Sequence, residues 1–190
     1  MADNRLGELW IIRHGETEWS ASGRHTSRTE VTLTPAGEEA ARGLALRLAQ
    51  TPFDLVLTSP RARARRTAEL AGFPDAVVDE DLVEWDYGQY EGITTAEIRE
   101  QVPGWTVWTD PCPGGEDAAE IGARLDRVVA LVRSNGGRVL TFGHGHASRV
   151  LGCRWLGQPV DAGRLLQLNT ATVSVLGYEH ESPAVARWNA

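Results

Sequence analysis

The chain has 190 residues, of which 42% are hydrophobic and 24% charged, and a formal net charge of −7. That length fits one domain with its own core, and the acidic balance argues against nucleic acid as a general partner. All 19 basic residues are arginine, which excludes lysine-dependent Schiff-base and Walker-type phosphate chemistry and leaves arginine, histidine or backbone N–H to hold any anion.

Met1–Arg5 open no signal-peptide apolar region, and no later run approaches the roughly 18 apolar residues of a membrane helix. A cytoplasmic protein with no membrane partner is the expectation. A strand over about 8–13, Leu9-Trp10-Ile11-Ile12, delivers Arg13-His14-Gly15 into a Gly/Ser/Thr-rich loop over 15–33. Thr34-Pro35 reads as N-cap and first helical position, with Glu38 and Glu39 in the first turn, of a helix reaching Ala49. Its apolar stripe is Ala41, Leu44, Ala45 and Leu48. Phe53–Thr58 reads as a short buried strand, and Ser59-Pro60 as the cap of a helix through Ala71. Val77-Val78 is a brief strand. Residues 82–115 form a long excursion rich in Trp, Gly and Pro, with a helical turn near Thr95–Gln101.

Glu116–Val132 reads as a helix burying Ile121, Leu125, Val128, Val129 and Val132. A strand over 139–143 then delivers His144-Gly145-His146, followed by a helix over 145–156 and two strands over 165–169 and 172–178. Strands alternating with helices predict an α/β fold: a three-layer α/β/α sandwich on a mostly parallel central sheet, with residues 1–190 as one domain. Cys112 and Cys153 lack metal-type spacing, so neither a disulfide framework nor a metal site is expected.

Two strands thus deliver histidines at their carboxyl ends, the edge at which open α/β sheets bind ligands. With Arg13 before His14 and Arg63 on the helix after the second strand, these groups match the needs of a phosphoryl dianion. Gly15 and Gly145 read as sites of close backbone approach to the anion. Flanked by two arginines, His14 is expected to stay neutral and nucleophilic at pH 7, and attack on phosphorus gives a phosphohistidine. Glu84, in Leu82-Val83-Glu84-Trp85-Asp86-Tyr87-Gly88, is the candidate proton donor, with Trp85 and Tyr87 as an apolar wall around it.

Five segments in one order carry a resemblance to the histidine phosphatase superfamily, the phosphoglycerate-mutase-like group. They are Arg13-His14-Gly15-Glu16-Thr17, Leu33-Thr34-Pro35-Ala36-Gly37, Ser59-Pro60-Arg61-Ala62-Arg63-Ala64 with Thr67-Ala68, Glu84 with Gly88 and Glu91-Gly92, and Gly143-His144-Gly145-His146. The resemblance implies His14 as phospho-acceptor, Arg13, Arg63 and His144 as phosphoryl ligands, Glu84 as proton donor, and no cofactor. A narrower likeness, through Glu18–Gly23 with Thr26, Glu84–Gly92, and Trp105 to Trp108 followed by Gly115-Glu116, is to the sedoheptulose-1,7-bisphosphatase-like branch and to small actinobacterial acid phosphatases. Ser20 stands where mutases usually carry asparagine, Ser27 where glycine is usual and Glu30 where aspartate is common, and these departures bear on substrate identity.

The residues expected at the substrate are Gly15, Ser20, Arg24, His25, Thr26, Ser27, Tyr87 and Gly145. His146 reads as structural or as supporting the site, and Arg149 as a solvated residue or as one that reaches a second anionic group. Trp85, Trp105 and Trp108 read as pocket rim, Trp10 and Trp155 as core. The expected partner is a small phosphorylated metabolite. Dimers are frequent in the resembled family, so a homodimer is the assembly it raises. Hydrolysis of small phosphate esters such as sugar phosphates is the leading reading. A phosphoglycerate mutase is the alternative, disfavoured because the stretch from Glu84 to His144 is too short for the pocket-closing insertion of such mutases. An inactive phospho-ligand binding module is the third, disfavoured because His14, Arg63, Glu84 and His144 are retained together.

Overall fold

The computed structural model describes residues 6–190; the expectation for Met1–Arg5 lies outside them. Its strands are β1 (Glu8–Arg13), β2 (Leu55–Thr58), β3 (Val77–Val78), β4 (Arg138–Gly143), β5 (Val173–Glu179) and β6 (Ser182–Arg187). They form one sheet in the order β3-β2-β4-β1-β5-β6. The β3–β2, β2–β4 and β4–β1 pairings are parallel and the β1–β5 and β5–β6 pairings antiparallel. The helices are α1 (Glu18–Ser22), α2 (Pro35–Leu48), α3 (Ala62–Leu70), α4 (Thr95–Gln101), α5 (Ala118–Asn135) and α6 (Gly145–Trp155).

Strand alternation builds two cores. Leu9 and Ile11 of β1, Val139 of β4 and Leu176 of β5 pack with Ile121, Leu125, Val128 and Val132 of α5 and Val150, Leu151 and Trp155 of α6. Ile12, Leu140, Phe142, Val173 and Val175 face the other way, onto Leu44 and Leu48 of α2 and Ala68 of α3. These are the three layers the sequence predicts. Each large aliphatic so buried contributes about 1.5–3 kcal/mol.

Three elements differ from expectation. Residues 165–169 are not a strand: a 3₁₀ turn over Val160–Leu165 leaves Leu165 75% exposed and carries the chain to buried Leu168. The strand β6 was not legible because it is an edge strand with a largely exposed pattern, so no buried face imposes an alternation. Helix α1 is too short for apolar periodicity; a reciprocal capping box between Thr17 and Ser20 holds it. Boundaries also moved. α3 begins at Ala62, whose N–H is accepted by Glu30 Oε2 at 3.0 Å, while Ser59 turns its hydroxyl to His144. Trp155 is core as expected, whereas Trp10 is half-buried against Phe53.

The register of the parallel strands matters most for the site. Thr58 pairs with Phe142 and Arg13 with Gly143. Ser59, His144 and His14 therefore leave the sheet side by side, tied by Ser59 N–H to Phe142 O at 2.9 Å and His14 N–H to Gly143 O at 3.0 Å.

Gly15 and Gly37 are required by a close approach of two backbones. A Cβ on Gly15 would lie 2.5 Å from Gly37 O, and one on Gly37 2.2 Å from Glu16 O. The role expected of Gly15, room for an anion, is thus replaced by packing against α2. Gly43, on the same helix, has open space where a Cβ would stand, with nothing within 4 Å. Alanine is the better helix former by about 1 kcal/mol, so Gly43→Ala should raise the unfolding free energy by roughly that amount. Gly37→Ala should lower it by about 1–3 kcal/mol, because the clash outweighs propensity. Chemical denaturation of both variants checks the opposite signs.

Candidate active site

His14 is 5% exposed, and its Nδ1 lies 2.7 Å from Gly15 O. A carbonyl only accepts, so Nδ1 carries the hydrogen and Nε2 keeps its lone pair. Burial first, then Arg63 and Arg13, hold the imidazole pKa well below its usual 6.5, against a smaller upward pull from Gly15 O. His14 is neutral at pH 7, as the flanking arginines predict, although desolvation is the larger cause.

His144 is fully buried, with its ring centroid 5.3 Å from that of His14. Its Nε2 is 2.7 Å from Ser59 Oγ, which also accepts the Arg61 N–H at 3.3 Å. A Ser59 hydroxyl that donates to Nε2 leaves the His144 hydrogen on Nδ1. Burial, followed by the charge of Arg63, holds this histidine neutral too.

Arg63 is 1% exposed and grips the substrate loop from beneath. Its Nη1 donates to Thr29 O at 3.1 Å and its Nη2 to Thr26 O and Ser27 O, each at 3.0 Å. Arg13 donates through Nη1 to Leu168 O at 2.6 Å. Among the described residues, four buried side-chain nitrogens meet no partner in the protein: Arg13 Nε, Arg61 Nε, Arg63 Nε and His144 Nδ1. A buried donor left unsatisfied costs about 1–3 kcal/mol. An anion beside His14 would offer acceptors to Arg13, Arg63 and His144, whereas Arg61 pairs through Nη1 with Glu30.

Glu84 differs from the expected picture of a carboxyl against an apolar wall. Its Oε1 accepts from Trp85 N–H at 2.9 Å and Ala147 N–H at 2.7 Å, and its Oε2 from His146 N–H at 3.0 Å. The last two donors belong to the first turn of α6, where a helix N-terminus favours negative charge. Trp85 is directed elsewhere, donating Nε1 to Glu116 O at 2.8 Å and packing on Trp108. Arg124 holds this segment in place, donating to Asp81 O and Val83 O while pairing in two places with Glu116.

A cavity of about 180 Å³ opens above His14, lined among others by Arg13, Ser20, Arg24, His25, Thr26, Glu84, Tyr87 and Gly145. Ser27 does not line it. It is 2% exposed, donates its hydroxyl to Glu84 O at 3.3 Å, and has its N–H held by Glu91. Arg63 and His144 are buried beneath the surface and are not among its lining residues. Gly145 leaves space between Arg13 and Glu84, where a Cβ would come within 3.4 Å and 3.5 Å of their side chains.

Of the two readings of Arg149, the structure places it at the cavity and not on a solvated face, and His146 lines the cavity beside Tyr87, whose hydroxyl is 2.6 Å from His146 Nδ1. Burial pushes the Tyr87 phenol well above 10, so it remains protonated and donates. Trp85 and Trp105 are core, 2% and 1% exposed, and not pocket rim. Glu91, one of the motif residues that carry the resemblance, was given no role by the sequence; it accepts the Ser27 and Thr29 N–H groups. Among the described residues no group of three or more His, Cys, Asp or Glu is arranged to hold a metal, Cys112 and Cys153 are free, and no helix is long and apolar enough to cross a membrane.

The family model of the histidine phosphatase superfamily, branch 1, matches residues 9–190. An acid phosphatase of Mycobacterium tuberculosis is 44% identical over 180 residues, covering 93% of this chain and 89% of that protein. The sedoheptulose 1,7-bisphosphatase of Saccharomyces cerevisiae is 38% identical over 184 residues, covering 77% of this chain and 66% of that one. The solved structure of an M. tuberculosis open reading frame superposes with a TM-score of 0.92 at 42% identity, covering 97% of this chain and 98% of the other.

His14, His25, His144 and His146 all have pKa values lowered by burial. The unfolded chain takes up protons on them near pH 6.5 while the folded chain does not, so their stabilisation is present above 6.5 and lost as pH falls. Each adds a slope of at most about 1.4 kcal/mol per pH unit. Thermal unfolding should show Tm falling from pH 7.5 to 5, and His146→Asn should flatten that fall; an unchanged slope in the variant would remove His146 from the account.

Proposed function

The chain belongs to branch 1 of the histidine phosphatase superfamily, and from that premise we propose that, as a single domain, it hydrolyses small phosphate monoesters through a phosphohistidine on His14. The observation that carries the reading is the neutral His14, beside Arg13 and Arg63, whose buried Nε atoms meet no partner among the described residues.

In the proposed sequence, His14 Nε2 attacks phosphorus while Arg13 Nε, Arg63 Nε and His144 Nδ1 bond the phosphoryl oxygens, whose charge spreads in the transition state. The P–O bond to the alcohol breaks, and Glu84 gives its proton to the departing oxygen. Glu84, now ionised, accepts a proton from water, which attacks phosphorus. The P–N bond breaks, and neutral His14 and phosphate are restored.

Transfer back to the substrate, as in a mutase, requires water to be kept out. The segment after Glu84 is occupied by α4 and by the packing of Trp105 and Val107 into the core, which supports hydrolysis. Sugar phosphates and similar metabolites are the substrate class we favour, with the S. cerevisiae relative as analogy.

Phosphate release from an aryl phosphate should persist with EDTA; loss of activity reversed by added metal would contradict the mechanism. His14→Ala should reduce kcat to below about one ten-thousandth of wild type, and substantial residual turnover would indicate a different nucleophile. Glu84→Gln should slow alkyl phosphates, whose leaving oxygens need a proton, far more than aryl phosphates. Equal loss on both would take Glu84 out of the acid role. Assaying 2- and 3-phosphoglycerate for interconversion against phosphate release separates mutase from phosphatase.

A further inference from the structure

Among the described residues the Arg13 side chain makes one hydrogen bond, Nη1 to Leu168 O at 2.6 Å, and its buried Nε meets no partner. The direction in which this guanidinium presents Nε therefore follows the place of a single carbonyl. That carbonyl belongs to no helix or strand, since residues 166–169 run irregularly between the turn ending at Leu165 and β5. Leu168 is 5% exposed and lines the cavity. A segment without a ladder of its own has its backbone groups placed by partners elsewhere in the chain.

Those partners follow β6. Trp188 donates Nε1 to Gln167 O at 2.5 Å, and Asn189 Oδ1 accepts from Asn169 N–H at 2.7 Å. The two bonds grip the backbone one residue before Leu168 and one residue after it. Further along, Thr172 donates its hydroxyl to Asn169 O at 2.8 Å, and Ala171 N–H reaches Arg13 O at 3.0 Å.

Trp188 and Asn189 are in turn fixed from the body of the fold. The Trp188 ring lies over Gly152 of α6, where a Cβ would come within 2.9 Å of it. Asn189 has φ 55°, in the left-handed region that asparagine enters more readily than most residues. Its N–H donates to Ser174 Oγ of β5 at 3.0 Å. A continuous set of contacts thus runs from α6 and β5 through Trp188 and Asn189 to Leu168 O and the Arg13 guanidinium.

We propose that Trp188 and Asn189 are positioning residues for Arg13: by holding Gln167 and Asn169 they set Leu168 O, and through it the direction in which Arg13 meets a phosphoryl group. Neither lines the cavity, so they act through Arg13 and not on the substrate. The inference rests on the phosphatase reading, in which Arg13 binds the transferring group. A donor that is displaced loses less than a donor that is removed, so the effect is smaller than that of deleting Arg13.

Three substitutions separate the bonds from the packing. Trp188→Phe keeps a ring over Gly152 and removes the Nε1–H donor. Asn189→Gly keeps the left-handed backbone and removes Oδ1, whereas Asn189→Asp retains an acceptor oxygen. With an aryl phosphate, Trp188→Phe and Asn189→Gly should each lower kcat by about threefold to tenfold and weaken orthovanadate binding in step, with Asn189→Asp close to wild type. Introduced into Arg13→Met, the same two substitutions should change neither quantity, because the residue they act through is gone. Losses that multiply in full with that of Arg13→Met would assign Trp188 and Asn189 a general structural role and overturn the proposal, as would wild-type kcat and vanadate affinity in both variants. Equilibrium binding of orthovanadate reads the coupling without turnover. Vanadate affinity that depends on Trp188 and Asn189 only when Arg13 is present, in a protein that releases no phosphate, would sink the phosphatase reading alone. Phosphate release indifferent to both residues would sink the positioning role alone.

Discussion

The site depends on three parallel strands ending level. Because Thr58 pairs with Phe142 and Arg13 with Gly143, Ser59, His144 and His14 emerge as neighbours at one edge of the sheet. A slip of one residue in either pairing would turn the side chains to opposite faces. It would separate the two histidine rings and take Ser59 away from His144 Nε2. The apolar alternation that fills the two cores fixes the register, so the packing that stabilises the fold also sets the geometry of the chemistry.

Around that edge the chain accepts an electrostatic cost. Arg63 is buried and spends its two Nη groups on loop carbonyls of Thr26, Ser27 and Thr29, which leaves Nε without a partner among the described residues. Arg13 is held in the same manner by Leu168 O. Both arginines use part of their donor set to fix the surrounding backbone and keep Nε unpartnered among the described residues, open to an anion in the proposed mechanism. Glu84 is positioned by backbone N–H groups of α6 and by the Arg124–Glu116 pair that supports its segment. Donors fixed in advance need no reorganisation when charge develops on the phosphoryl group.

Much of this was legible in the sequence because short-range signals report it. The strand ends carrying Arg13-His14 and His144, the Thr34-Pro35 helix start and the apolar face of α5 are all local patterns. What was not legible depends on contacts distant in the chain. The role of Ser59, a predicted cap that instead serves His144, is set by the β2–β4 register. Gly15 faces Gly37 rather than an anion. Trp85 and Trp105 looked like rim residues because they sit in a polar excursion, but the excursion folds back over α5 and buries them. Arg149 had two readings until the turn ending at Leu165 placed Gly163 O and Trp108 beside it. Edge strand β6 had no buried face from which to be read.

The central claim is that phosphoryl transfer passes through a covalent intermediate on His14. It is tested most directly by the stereochemical course at phosphorus, using a phosphorothioate ester made chiral with two oxygen isotopes and turned over in water carrying the third, so that the released thiophosphate is chiral. Two in-line displacements, one by His14 and one by water, predict net retention of configuration. Net inversion would show a single direct attack by water and would contradict the account.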